Sequence, residues 1–233
     1  MRIYYRFLRI ISQALHAVYF QGRVFGLSNV PAHGGVLLAG NHQSYLDPVA
    51  IALPLYREAN FMARDTLFRQ PMFKRLIESL NAFPVKRGAA DVGAVKEMLR
   101  RLKDGKVVIV FPEATRTRDG TLGEINANSL LIAKKAGVTI VPTVVDGAFA
   151  AWPRGQILPT PSRIYISYCK AITPAQVKAW PIEEIAAVVS ARLREQFEHS
   201  QRMRARAAMV RRFRPAGGDQ GTSSMAATES SGT

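Results

Sequence analysis

Short apolar runs alternate along this chain with longer stretches in which apolar residues recur every three or four positions. The short runs read as strands and the longer stretches as helices. The runs are Gly35 to Gly40 (GVLLAG), Asn60 to Ala63, Phe83 to Val85, Lys106 to Phe111 (KVVIVF), Thr139 to Val145 (TIVPTVV) and Arg163 to Tyr168 (RIYISY). The clearest helix spans Asp91 to Lys103, where Val92, Val95, Met98, Leu99 and Leu102 recur at helical spacing and Gly105 follows as a stop. A second is expected from about Asn128 to Lys135, ending at Gly137. This alternation predicts an α/β sheet with helices on its faces. Pro142 interrupts an apolar strand, where a residue without an N–H must sit at an edge or at a bulge.

The two ends read differently from this body. The first twenty residues mix Ile3, Tyr4, Phe7, Leu8, Ile10, Ile11 and Leu15 with Arg2, Arg6, Arg9 and His16. The arginines break the apolar run before the ~18 residues a spanning helix needs. The lack of a small-residue cleavage site argues against a cleaved signal peptide. Residues 1–22 are expected to form a basic amphipathic helix. It either enters the headgroup boundary of a membrane or simply packs on the domain. Towards the other end, Arg192, Arg194, Arg202, Arg204, Arg206, Arg211 and Arg212 crowd a helical stretch that holds only Glu195 and Glu198 as acids. From residue 214 on, large apolar side chains almost vanish, so 214–233 is expected to be a disordered tail and 23–213 one domain.

Composition narrows the function. Cys169 is the single cysteine, which excludes an internal disulfide framework and a cysteine-rich metal cluster. The four histidines are too scattered for metal-ligand spacing, so no metal is expected. The net charge of +15 calls for a polyanionic neighbour, either nucleic acid or an anionic membrane face, and charge alone does not choose. No motif for reading bases accompanies it.

The candidate chemistry gathers at strand ends. Asn41-His42-Gln43-Ser44-Tyr45-Leu46-Asp47-Pro48 follows the first run and contains H-x-x-x-x-D. Residues five apart on a straight helix lie about 140° apart in projection, so His42 and Asp47 meet only if the segment turns. Pro48 suggests a helix starting there with Asp47 as its N-cap and His42 in the loop before it. Asp47 is then either a cap alone or the partner that fixes the imidazole tautomer and frees the other nitrogen to take a hydroxyl proton. A second cluster, FPVKRG, ends in Lys86 and Arg87, and a third, Phe111-Pro112-Glu113-Ala114-Thr115-Arg116-Thr117, leaves the strand KVVIVF. An acid and an arginine there suit a phosphate or a polar headgroup.

Taken together, NHQSYLD, FPVKR, FPEATRT and IVPTV, in that order, resemble the blocks of the glycerolipid acyltransferases, the lysophosphatidic acid acyltransferase-like family. The resemblance covers roughly Val30 to Lys170. It implies that family's fold, a central mixed, largely parallel sheet flanked by helices. It also implies acyl transfer from acyl-CoA or acyl-carrier protein to the free hydroxyl of a lysophospholipid, 1-acyl-glycerol-3-phosphate giving phosphatidic acid. No cofactor is expected beyond the acyl donor as co-substrate. By the family pattern His42 is the general base, Asp47 its orienting partner, and Arg87, Glu113, Thr115 and Arg116 hold the acceptor; Asn41 is added as a possible oxyanion donor. The implied partner is an anionic membrane surface rather than nucleic acid, with monotopic attachment at the cytoplasmic face. Three departures bear on the acceptor's identity: Ala114 and Asn81 replace glycines of the pattern, and Glu124 to Asn128 stands where a lysine-and-glycine turn is common. They keep open a non-catalytic lipid-binding protein of the same fold, or an enzyme with another lysolipid acceptor.

Overall fold

A computed structural model describes residues 3–86 and 91–212. Arg87 and the expected tail 214–233 lie outside the described residues. The chain forms strand β1 (Arg23–Phe25), β2 (Val36–Gly40), β3 (Ala59–Arg64), β4 (Ala82–Val85), β5 (Val107–Val110), β6 (Thr139–Asp146) and β7 (Tyr165–Tyr168). They make one sheet in the order β1-β7-β6-β2-β5-β3-β4. Neighbours run parallel except β6 and β7, so the sheet is mixed and largely parallel. All six apolar runs become strands. The short β1, mostly exposed and paired on one side only, carries no such signal in its sequence.

Among the described residues, eight α-helices connect and cover the strands: α1 (Ile3–Val18), α2 (Asp47–Ala52), α3 (Pro71–Ser79), α4 (Val92–Lys103), α5 (Leu131–Ala136), α6 (Ala148–Ala151), α7 (Pro174–Ala179) and α8 (Ile182–Arg212). Side chains along β2 alternate between the two faces. Val36 and Leu38 join α2, α3 and α6 through Ile51, Ile77 and Ala148, whereas Leu37 and Ala39 join α4, α5, α7 and α8 through Leu102, Ala133, Val177 and Val189. Asp91 caps α4 by accepting the Ala94 N–H at 3.0 Å. The second expected helix starts as a 3-10 turn, Ala127–Ser129, and ends at Gly137 in the left-handed conformation (φ 68°).

Pro142 is not at an edge, because β6 has β2 on one side and β7 on the other. Thr143 pairs with Tyr168 and Ile140 bridges Ile172, so Val141 and Pro142 face the three residues Cys169 to Ala171. That extra residue is a bulge, and it spares the ladder the N–H that proline lacks.

α1 turns its polar side inward. The Arg9 guanidinium donates to the Leu55 carbonyl at 2.6 Å and the Gln13 amide to the Leu53 carbonyl at 2.8 Å, both just past the end of α2, where cations are favoured. His16 is buried against Gly22, and burial pushes its imidazole below the ordinary value, with the Ile164 backbone partly opposing. Phe7, Ile10, Ile11, Leu15 and Val18 point outward, Val18 being 80% exposed. Among the described residues, no helix is long and apolar enough to cross a membrane.

Candidate active site

The site forms where two adjacent parallel strands send their chains to opposite faces. From β2 the chain turns towards α2 on one face; from β5 it turns towards α5 on the other. A crevice opens at such a divergence, outside the carboxyl ends of the strands. His42 lies two residues past Gly40 and Glu113 three past Val110, so both clusters enter it.

His42 Nδ1 and Asp47 Oδ2 are 2.8 Å apart. The turn that brings them together is held by the same carboxylate oxygen, which accepts the Gln43 N–H at 2.6 Å and the Ser44 N–H at 2.7 Å. An oxygen that already accepts two backbone donors serves as acceptor for the ring as well. Nδ1 is therefore the ring nitrogen that donates, and Nε2 is left outside this contact. Asp47 is not the N-cap expected above. It is the first residue of α2 with Leu46 flanking it, and its carboxylate turns back to the loop instead of capping the helix. Asp47 is wholly buried, and that burial raises its pKa, opposed first by the bond to His42. The His42 side chain is 15% exposed and stacks on Phe111, the centroids 4.0 Å apart at 16°.

The loop after β5 clasps this turn. Thr117 N–H donates to the His42 carbonyl at 2.9 Å, the Gln43 amide donates to the Gly120 carbonyl at 2.8 Å, and the His42 N–H reaches Glu113 Oε1 at 3.3 Å. Burial pushes the Glu113 carboxyl up to about 7, against the pull of the His42 and Gly123 N–H groups. Glu113 also borders a cleft of about 310 Å³ with Gly123, Ile125 and, from α8, Leu193, Arg194 and Phe197. The Arg116 guanidinium carbon sits 3.5 Å from the centre of the Tyr45 ring, a cation–π contact. Its Nη1 is buried without a hydrogen-bond partner among the described residues. Thr115 is exposed, its N–H bonded to the Glu113 carbonyl at 2.7 Å.

His42, Asp47, Glu113 and Arg116 thus come together, whereas Asn41 does not join them. Its side chain is buried and spent on β6, donating to the Val145 carbonyl at 2.9 Å and accepting the Val145 N–H at 2.7 Å. It extends the ladder beyond β2. Arg87, assigned to the acceptor by resemblance, is outside the described residues. Tyr45 and Phe111 went unassigned in the sequence although both lie inside the blocks that were singled out; an aromatic beside a candidate base or cation was the available signal.

The glycine departures have a backbone explanation. Ala114 adopts φ 61° and Asn81 φ 62°, the region where glycine is unstrained. Asparagine tolerates it, and the exposed alanine bears a strain of about 1 kcal/mol. In the third departure Asn126 caps the 3-10 turn, accepting the Asn128 N–H at 3.0 Å.

Comparison with known proteins bears on the family and the fold. A model of the acyltransferase family matches residues 21–146. The chloroplastic 1-acyl-sn-glycerol-3-phosphate acyltransferase LPAT1 of Arabidopsis thaliana is 31% identical over 147 residues, 62% of this chain and 39% of that protein. The 1-acyl-sn-glycerol-3-phosphate acyltransferase of Bacillus subtilis is 25% identical over 126 residues, 54% of this chain and 62% of that protein. The match thus spans about two fifths of the plant relative and three fifths of the bacterial one. The crystal structure of the 1-acyl-sn-glycerophosphate (LPA) acyltransferase PlsC from Thermotoga maritima aligns with a TM-score of 0.74 at 26% identity, covering 84% of this chain and 79% of that chain.

Proposed function

Because the chain belongs to the acyltransferase family, we propose that it transfers an acyl group from a thioester, acyl-CoA or acyl-carrier protein, to the free hydroxyl of 1-acyl-glycerol-3-phosphate, giving phosphatidic acid. The observation that carries the mechanism is the 2.8 Å contact between His42 Nδ1 and the buried Asp47, which leaves Nε2 basic. Nε2 takes the hydroxyl proton as the alcohol oxygen attacks the thioester carbonyl. The tetrahedral intermediate collapses, the C–S bond breaks, and the departing sulfur receives the proton from the imidazolium. Ester and thiol result, with no acyl-enzyme. Asp47 holds the ring in its tautomer and stabilises the imidazolium. Arg116 keeps an unbonded Nη1 and, with Arg87, provides charge for the acceptor's phosphate; Glu113 and Thr115 orient its glycerol end.

The acceptor is a lipid, and the outward apolar face of α1 supports a monotopic seat on an anionic bilayer at the cytoplasmic face. Its polar face anchors it to the domain, so the helix lies flat instead of detaching.

Purified protein incubated with labelled acyl-CoA and 1-acyl-glycerol-3-phosphate should yield labelled phosphatidic acid, and His42→Ala should lower the rate by at least ~10³-fold. An unchanged rate in that variant sinks the mechanism. Any acyl transfer by the wild type removes the reading as a lipid-binding protein without turnover.

A further inference from the structure

The segment between α6 and β7 carries an apolar tip that none of the described residues covers. Ile157 is 88% exposed and Leu158 72%. An unstructured loop would fold such side chains back, but this one is braced. Pro153, Pro159 and Pro161 restrict its backbone. The Trp152 indole donates to the Gln156 carbonyl at 2.8 Å and the Thr160 N–H to the Ala151 carbonyl at 2.7 Å. The tip is thus held outward at little further entropic cost on binding.

Its surroundings identify the partner. The Tyr19 hydroxyl, one residue past α1, donates to the Pro159 carbonyl at 3.0 Å, so the loop is tied to the end of the helix whose apolar side chains are exposed. No aspartate or glutamate occurs between Asp146 and Glu183, and Arg154 is exposed beside the tip. Next to it opens a cleft of about 650 Å³ lined by Tyr19, Arg163 and Arg204. Arg204 is paired with Asp146 at 3.0 Å, whereas Arg163 donates its Nε to Gln21 at 3.2 Å and keeps a buried Nη1 without a partner among the described residues. Apolar side chains in front of a cleft whose Arg163 has no acidic partner among the described residues fit the boundary of a bilayer, where acyl chains lie beneath anionic phosphates.

The other end of the loop reaches the site. The Ser44 hydroxyl donates to the Trp152 carbonyl at 2.8 Å, and the Tyr45 and Trp152 rings lie 5.8 Å apart. We infer that the 153–161 loop is a second bilayer-contacting element, inserting Ile157 and Leu158 beside α1 and receiving an anionic lipid phosphate at Arg163. Two contacts, one of them joined to the turn that bears His42, fix the orientation of the crevice to the lipid surface as a single helix cannot. The inference rests on the membrane seat proposed for α1.

Its test uses the full chain and vesicles of phosphatidylcholine, with and without phosphatidylglycerol. The double variant Ile157→Ser/Leu158→Ser should partition ~10-fold more weakly onto the anionic vesicles, as should Ile10→Ser/Leu15→Ser in α1. If the loop variant binds like wild type while the α1 variant is impaired, the loop inference is overturned and the α1 seat stands. If wild type binds neither vesicle, both fail. A second measurement leaves the tip almost intact: Leu158→Cys in a Cys169→Ser chain, carrying an environment-sensitive fluorophore, should shift to the blue on anionic vesicles and be quenched by nitroxide-labelled lipid. The same label at Val92→Cys on α4 should not respond. An unshifted label at position 158 overturns the inference.

Discussion

α1 and α4 carry the same kind of pattern and use it in opposite directions. α4 buries Ala94, Met98 and Leu102 and sends Arg100 outward, where it bonds Glu97 at 2.7 Å and Asp104 at 2.8 Å. Arg100, with Arg101 adding to it, holds Glu97 down at about 2. α1 buries His16, directs Arg9 and Gln13 onto carbonyls past α2, and leaves Ile10, Leu15 and Val18 in the open. Amphipathicity therefore tells that a helix has two faces, and the neighbouring surface selects which one turns in. Beside α4 lies the apolar face of the sheet; beside α1 lie carbonyls that need donors.

If the two helices differ in this way, the same substitution should differ greatly in cost between them. Leu102→Ala should cost about 3 to 4 kcal/mol in urea unfolding, because the residue is fully enclosed. Leu15→Ala should change stability by no more than about 0.5 kcal/mol, and a larger loss would mean that α1 buries its apolar face after all. Gly22→Ala probes the polar docking, since the added Cβ would stand 1.8 Å from the His16 ring. It should cost about 1 to 3 kcal/mol and raise hydrogen exchange along α1 selectively; uniform or unchanged exchange would count against His16 as the latch.

A smaller effect comes from pH. The folded value of His16 lies below its ordinary 6.5, so the folded state binds fewer protons there. The docking is intact above that value and weakens as pH falls through it. Stability should therefore fall as pH is lowered from about 7.5 to 5.5, and that fall should vanish in His16→Gln. Equal pH dependence in both proteins would remove the assignment. Smallest of all, Arg100→Ala on α4 should cost at most about 0.5 kcal/mol, and less in high salt, since its ion pairs are exposed.

Much of the site was visible in order along the chain, though not its geometry. The spacing of His42 and Asp47 required a turn, and the structure supplies one through the Gln43 and Ser44 N–H groups. Asn41 adjoins the candidate base in sequence, which suggests an oxyanion donor, yet the fold carries its amide to Val145, over a hundred residues away. Tyr45 under Arg116 is a contact between two separate blocks, so neither block shows it alone. Pro142 in an apolar run implies an edge or a bulge, and the strand order together with the pairing of Ile140 with Ile172 distinguishes the two.

Local order in the sequence was enough for the apolar strands, the cap and stop of α4, the family blocks and the expectation of an α/β fold, because each depends on residues a few positions apart. The reversed β7, the inward polar face of α1, the outward tip at Ile157 and the clasp of one strand-end loop on another came from the assembled chain. Each of these depends on which surface a segment meets. That meeting is set by contacts between residues tens to more than a hundred positions apart, whose donors, acceptors and apolar areas must be satisfied together.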